Sequence, residues 1–288
     1  MTRPVLVTGA AGQLGSAIVR VFADRAVIAH TRATLDITDP EAVRRVVGEA
    51  MPAVVINCVA FNDVDGAEDR PLEAFAVNAM AVRSLARAAE DSGAVLVHYG
   101  TDFVFDGTGS VPHDESDAPA PRSAYAMSKL LGEWFALDAP RGFVLRVESL
   151  FGTPRTWTGR RGTLDGILAG LEQGRPVKVF TDRVVSPSYV EDVAAATRHL
   201  IDGGADAGLY HCVNSGHGTW HAVALELARR LGVTPELEPI TMDQVQLKAP
   251  RPRYCALSNR KLARAGFEMP GWEDALGRWL ATRGGPAA

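Results

Sequence analysis

The sequence predicts an α/β protein: a Rossmann-type doubly wound parallel sheet, with a smaller C-terminal substrate lobe. Three observations carry this reading. Short apolar runs alternate with segments of helical spacing over the first 150 residues. The first run feeds a glycine turn, Gly9-Ala10-Ala11-Gly12-Gln13-Leu14-Gly15, that opens a helix. After about residue 150 the alternation loosens and prolines accumulate. The expected division is 1–150 for a dinucleotide-binding domain and 151–288 for a mixed α/β substrate lobe, with some later strands and helices returning to the first domain.

The elements follow in order. Residues 4–8 form a short apolar run, as suits a strand buried on both faces. Leu14, Ile18, Val21 and Phe22 recur at helical spacing. Ala26 to Ala29 reads as a second strand. Thr38-Asp39-Pro40-Glu41 starts a helix, with a capping residue, a proline and acids in the first turn. Strands are expected at Ala53 to Cys58, Ala94 to Tyr99 and Phe143 to Val147. Helices are expected from Pro71 to Ser92, closed by Gly93, and from Tyr125 to Leu137. Beyond these come strands at Val177–Phe180 and Leu209–Val213, and helices at Val190–Ile201 and Thr219–Leu231. Pro235, Pro239, Pro250 and Pro252 mark a loop-rich stretch. The last helices are expected near Asn259–Ala265 and Trp272–Thr282, before a frayed Gly284-Gly285-Pro286.

Composition narrows the class. The chain has 288 residues, is 47% hydrophobic and 22% charged, and carries a net charge of −4. This is ordinary globular composition, and the negative balance argues against nucleic acid as the main partner. Cys58, Cys212 and Cys255 lie far apart with no CxxC, so buried thiols in a reducing cytoplasm are expected, not a disulfide framework or zinc site. No signal peptide is read at the N-terminus, and no apolar run is long enough for a membrane span.

The glycine turn points to a dinucleotide. Gly9, Gly12 and Gly15 give G-x-x-G-x-x-G between a strand and a helix, where glycine permits a tight turn and the helix start offers N–H groups to a pyrophosphate. The second strand runs out through Thr31-Arg32 without the acid that would take the ribose hydroxyl of NAD. Arg32 can meet a 2′-phosphate, which favours NADPH and leaves NADH open; a solvated loop arginine is the competing reading. Asp36-Ile37 would offer a carboxylate and an aliphatic side chain to adenine, although an Asp that caps a turn fits as well. Ala60, after the third strand, would lie beside pyrophosphate or ribose.

The chemistry is expected in Thr101, Tyr125 and Lys129. Thr101 falls at the carboxyl end of the fourth strand, where its hydroxyl can donate to a substrate oxygen. Tyr125 and Lys129 are one helical turn apart, so an ammonium beside the phenol would stabilise phenolate and lower its pKa. Such a group transfers protons at a carbonyl.

On these residues the chain resembles the dTDP-4-dehydrorhamnose reductase family of extended short-chain dehydrogenases. The matching segments are Gly9–Gly15, Leu35–Pro40, Val55–Ala60, Val64–Glu68, Val77–Ala79, Thr101–Gly107, Tyr125–Lys129 with Gly132-Glu133, Val185–Ser188 and Arg251–Tyr254. The resemblance implies an NAD(P)H-dependent oxidoreductase of deoxysugar biosynthesis, reducing a nucleotide-activated 4-keto-6-deoxysugar, dTDP-linked. It implies Thr101, Tyr125 and Lys129 as the catalytic set. Gly12, Gln13, Leu14, Asp36, Ile37, Ala60, Phe61, Asn62, Tyr125 and Lys129 would contact the cofactor. Thr101 and Asp102 would contact substrate, with Phe103, Ser149 and Arg251 as further candidates. A homodimer is plausible for the family.

The chain departs from the family pattern in places. Gly100 stands where the family usually has Ser, Phe103 where it has Tyr, and Asn62 where Thr is common. The family's Arg-Thr-Ser-Trp becomes Arg146-Val147-Glu148-Ser149, which removes a Trp that packs on the sugar nucleotide and leaves the sugar's identity open. A dehydratase would need an acid where Phe103 stands, an epimerase would retain its NAD, and a non-catalytic dinucleotide-binding subunit remains the reading of a different class. For the substrate diphosphate the candidate cations are Arg146, Arg155, Arg160, Arg161, Arg183, Arg251 and Arg253. His211, His217 and His221 read as surface and capping residues, so no metal is expected. Trp134, Phe135, Trp157 and Trp220 read as core or lobe contacts, with Trp157 a substitute for the missing Trp.

Overall fold

A computed structural model describes residues 3–152 and 162–284 of the chain. Six strands form one parallel sheet: β1 (Val5–Thr8), β2 (Val27–His30), β3 (Val54–Asn57), β4 (Val95–Thr101), β5 (Gly142–Val147) and β10 (Gly208–His211), in spatial order β10-β5-β4-β3-β1-β2. Between them run α1 (Gln13–Val21), α2 (Pro40–Ala50), α3 (Val64–Asp69), α4 (Pro71–Phe75), α5 (Ala81–Ser92), α6 (Ala124–Leu137) and, before β10, α8 (Val190–Asp202). The chain leaves β1 toward β2 and then returns across it to β3. The switch point between β1 and β3 opens a crevice outside their carboxyl ends.

Apolar faces explain the layering. β1, β3 and β4 are buried along their whole length, as strands covered on both sides must be. Ile18, Val193, Leu200 and Leu262 pack on one face; Val43, Val47, Leu85 and Ala136 pack on the other. Asp39 caps α2, its carboxylate accepting from the Glu41 and Ala42 N–H groups at 3.0 and 3.1 Å. The expected long helix from Pro71 is interrupted: Ala76–Met80 forms a π turn between α4 and α5. That wider turn carries Asn78, whose carbonyl oxygen would sit 2.0 Å from a Cβ on Gly132. A π turn often marks a functional site, and this one fixes Asn78 against α6.

The remaining elements lie outside the six-stranded sheet. They are β6 (Leu150–Phe151), α7 (Thr163–Glu172), β7 (Val177–Phe180), β8 (Val184–Val185), β9 (Ser188–Tyr189), β11 (Gly218–Thr219), α9 (Trp220–Leu231), β12 (Leu237–Ile240), α10 (Arg260–Arg264) and α11 (Trp272–Gly284). β12 lies in the stretch expected to be loop; it pairs in parallel with β7 in a two-stranded sheet that accommodates Pro239. Phe151, Leu168, Val179, Trp220, Leu227, Leu276 and Trp279 form a second core. Trp220 is buried as expected, whereas Trp134 is 55% exposed because its position on α6 faces away from the sheet. Arg155, Trp157, Arg160, Arg161, Gly285 and Pro286 lie outside the described residues.

Candidate active site

The glycine turn is built as its spacing requires. Gly9 has φ +72°, and a Cβ there would come within 2.9 Å of the Cys58 carbonyl carbon. The Gly12 N–H donates to the Gly9 oxygen at 2.9 Å, and the Ala10 N–H ties the turn to β2 through the His30 oxygen at 3.0 Å. A Cβ on Gly15 would sit 2.2 Å from the Gly9 oxygen. Gly12 caps α1 with no side chain of its own, so an acceptor from outside can take the helix start. This is a cradle that fits a dinucleotide pyrophosphate.

The flanking candidates divide. Leu14 and Ile37 are buried, Thr31 and Gln13 half-buried, and Arg32, Ala60 and Asn62 exposed. Phe61 is fixed by Asn78: its N–H donates to Asn78 Oδ1 at 2.8 Å, and Asn78 Nδ2 donates to the Phe61 oxygen at 3.0 Å and to Ser128 Oγ at 2.9 Å. Asp36 accepts from the Thr38 Oγ1 at 2.7 Å and N–H at 2.9 Å, and these bonds, with the charge of Arg32, hold its carboxyl below the ordinary range. It closes a turn, and remains exposed to a ligand.

Across the crevice, β4 ends in Thr101, which is 4% exposed. Its Oγ1 donates to Asp102 Oδ1 at 3.0 Å and accepts from the Phe103 N–H at 3.3 Å. Ser123 caps α6, accepting from the Ala126 N–H at 3.2 Å, and so sets Tyr125 in the first turn. Thr101 neighbours Tyr125 and favours the ionised form of its phenol. Phe103 meets the Tyr125 ring edge-on at 5.6 Å, and the Arg183 guanidinium lies 5.4 Å from the Phe103 ring centre. Lys129, one turn beyond Tyr125, is buried with Nζ donating to the Tyr99 oxygen at 2.6 Å.

Two expectations are corrected here. Burial pushes the Tyr125 phenol up from its usual value, the neighbouring Thr101 opposes this, and the charges of Asp102 and Glu133 add to the rise. Lys129 does not lower it: its ammonium is drawn onto the sheet carbonyl, and burial brings Lys129 itself down to about 8 against the opposing charge of Glu133. The arginines are also placed differently. Arg146 is buried in an ion pair with Glu133, with Nη2 2.8 Å from Oε2, and lies 5.2 Å from the Phe105 ring centre. Arg183 is buried beside Asp102 and Glu148. Arg251 is held in a two-pronged pair by Asp65 at 2.8 and 2.9 Å, and Arg253 pairs with Asp182 and Asp243. Arg146, Arg251 and Arg253 are each already paired with a carboxylate, while Arg183 acts on Asp102 and Glu148 through its charge.

His211 is buried, not a surface residue; burial and the Arg146 charge bring it down to about 3, a neutral ring. Among the described residues one group has metal-like spacing, Asp102, Glu148 and Cys255, and the histidines are not in it. Ser149, where the family has Trp, adopts φ +45°, a strained backbone for a residue with a Cβ. Sequence reasoning missed Glu133, Asn78, Glu148 and Asp65 as site-shaping residues. Asp65, Asn78 and Glu133 lay in family-like segments without an assigned role, and Glu133 also stands one turn beyond Lys129 on the same helix face.

A doubly wound sheet with a glycine turn at its switch point and a Thr–Tyr–Lys set across the crevice defines a dinucleotide-dependent protein of the short-chain dehydrogenase class. The family profile described as RmlD substrate binding domain matches residues 2–283. The chain is 38% identical over 288 residues to a dTDP-4-dehydrorhamnose reductase of Mycobacterium tuberculosis, covering 96% of this chain and 92% of that one. It is 35% identical to a dTDP-4-keto-6-deoxy-D-glucose reductase of Streptomyces niveus, covering 96% of each. A dTDP-4-dehydrorhamnose reductase of Bacillus anthracis, solved in complex with NADP, superposes with a TM-score of 0.91 at 30% identity, covering 98% of this chain and 99% of that one. The chain belongs to the dTDP-4-dehydrorhamnose reductase family. Among the described residues no helix is long and apolar enough to cross a membrane.

Proposed function

We propose that the chain is an NADPH-dependent reductase of a dTDP-linked 4-keto-6-deoxysugar. The observation that carries this reading is the juxtaposition of Thr101, at the carboxyl end of β4, with Tyr125 in the first turn of α6, across the crevice from the glycine turn. Gly9, Gly12, Gln13 and Leu14 would hold the pyrophosphate, Thr31 and Arg32 the 2′-phosphate, Asp36 and Ile37 the adenine, and Ala60, Phe61 and Asn62 the adjoining ribose. The 1–150 segment would carry the cofactor and the later lobe the sugar nucleotide.

Bound NADPH supplies the hydride for the ketone carbon. The chain's own groups manage the oxygen. Tyr125 donates its proton to the oxygen as negative charge develops there, and Thr101 donates a hydrogen bond to it. Burial favours the neutral, proton-bearing phenol that a reduction needs. Lys129, anchored on Tyr99, would orient the nicotinamide ribose. Asp102, Phe103 and Ser149 would line the sugar side, and Arg251 would reach a phosphate by sharing its guanidinium with Asp65. Phe103 cannot transfer the proton that a dehydratase needs.

The test is NADPH oxidation with dTDP-4-keto-6-deoxysugars, followed by identification of the alcohol formed. Turnover to a single 4-hydroxy epimer supports the reading. No oxidation, together with a stable complex with another enzyme, would replace it with the non-catalytic subunit; tightly retained NAD would point to an epimerase.

A further inference from the structure

Behind Thr101 lies a buried polar cluster drawn from four distant segments. Asp102 follows Thr101; Glu148 follows β5; Arg183 precedes β8; Cys255 sits in the C-terminal loop. Asp102 is 2% and Glu148 1% exposed. One carboxylate oxygen of each, and the Cys255 sulfur, lie within 4.8 Å of one another. Glu148 Oε2 accepts from the Ser186 N–H at 2.7 Å, while its Oε1 and Asp102 Oδ2 are buried without a hydrogen-bond partner.

We propose that Asp102 and Glu148 hold one proton between them, and that its position decides whether the Thr101 hydroxyl points at Asp102 or at the substrate oxygen. The charge count points this way. Two carboxyls face one guanidinium, Arg183, and a second buried negative charge would stand uncompensated. The other groups facing the pair add no cation: Cys255 is a thiol whose Sγ contacts the Pro252 oxygen, and Tyr125, Tyr254, Ser186 and Thr101 are neutral. Burial lifts both carboxyls above their usual range, Asp102 lifts Glu148 further, and Arg183 opposes the rise in both. Arg183 already supplies the positive charge that a metal ion would bring to this trio.

The consequence follows from hydroxyl geometry. Thr101 has one hydrogen. With the proton on Glu148, Asp102 is a carboxylate and captures that hydrogen, as the 3.0 Å contact allows. With the proton on Asp102 Oδ1, the oxygen that faces Thr101, this O–H donates to Thr101 Oγ1, and the Thr101 hydrogen is released toward the ketone oxygen. No covalent step and no co-reactant is involved. Glu148 is thus a positioning residue acting through Asp102; this last step rests on the reductase reading, whereas the shared proton does not.

The experiment is infrared spectroscopy with kinetics on wild type and Glu148→Gln. Wild type should show a carboxylic-acid C=O band at neutral pH that Glu148→Gln loses, because Asp102 alone beside Arg183 ionises. The variant should bind NADPH normally, lose about 10- to 100-fold in kcat with KM little changed, and lose activity at lower pH than wild type. Lys129 contributes the same alkaline limb to both proteins, so the difference between profiles belongs to the pair. Absence of the band in wild type overturns the shared proton even if the variant fails to fold. A band that survives in Glu148→Gln also overturns it, and an unchanged kcat and pH profile overturns the coupling to Thr101. A protein without reductase activity leaves the infrared result decisive by itself.

Discussion

A Cβ placed on Gly100 would lie 2.2 Å from Glu133 Oε1, so the missing side chain at 100 makes room for the buried Glu133–Arg146 pair. The Arg146 guanidinium donates to both Glu133 oxygens, through Nε at 3.2 and 3.0 Å and through Nη2 at 2.8 Å. Gly100→Ser, which restores the residue usual in the family, should overpack this site and cost about 1–3 kcal/mol. Glu133→Gln should cost more, about 3–5 kcal/mol, by leaving Arg146 buried and uncompensated. Urea titrations of both variants check the order; an unchanged Gly100→Ser would mean that Glu133 has space that the structure does not assign to it.

Tyr125→Phe removes the proton donor and leaves the ring and its contact with Phe103. Turnover should fall by about 10²–10⁴ with NADPH binding nearly unchanged. Steady-state kinetics beside a fluorescence titration of NADPH separate the two effects. Retained turnover would dismiss Tyr125 as the donor.

Arg32 is exposed two residues beyond β2, with the charge of Asp36 nearby. If it meets a 2′-phosphate, Arg32→Ala should weaken NADPH about five- to tenfold, the value of one partly screened charged contact, and leave NADH nearly unaffected. Equal losses for both cofactors would assign Arg32 to solvent.

Asp65 joins α3 to the loop before Arg253: its carboxylate takes the Arg251 guanidinium and the Ala249 N–H at 3.0 Å. The Arg251 bond leads in bringing Asp65 down to about 2. A depressed carboxyl stabilises above its unfolded value of about 4 and loses that contribution as pH falls toward 2. Asp65 is 44% exposed on its side chain, so screening limits the effect of Asp65→Asn to about 1 kcal/mol or less. The kinetic effect should be larger on sugar-nucleotide KM than on kcat, since the variant frees the Arg251 loop without touching Thr101 or Tyr125.

The sequence exposed those features whose signal is local. β1, β3 and β4 are short apolar runs, Gly9 and Gly15 sit where the turn cannot hold a Cβ, and Tyr125 and Lys129 share a helix face, so all could be read in order. Features made by distant segments could not. Asp65 and Arg251 are 186 positions apart, and the Glu148–Asp102–Arg183–Cys255 cluster exists only once four segments converge. β12 was hidden because Pro239 reads as loop until a two-stranded sheet allows it. The Tyr125–Lys129 spacing was legible, but its electrostatics were not: spacing places the ammonium near the phenol, while the Tyr99 carbonyl, invisible in sequence, takes the ammonium first.

Lys129 therefore sets function against stability. Unfolded, a lysine keeps its proton to about pH 10.4; folded, Lys129 releases it near 8, chiefly because burial penalises the ammonium. Between these values the unfolded chain binds more protons, so stability rises with pH, and below pH 8 the full penalty of the buried charge is present. Lys129→Met removes that penalty and should raise the melting temperature at neutral pH, flatten its rise above pH 8, and weaken NADPH binding with severe loss of turnover. In Glu133→Gln the lysine loses the neighbouring charge that raises it, so the alkaline loss of NADPH affinity should move to lower pH. Melting curves and NADPH titrations across pH measure both. A Lys129→Met protein less stable than wild type at neutral pH would show that the bond to Tyr99 outweighs the burial cost, and would reverse this account of the lysine.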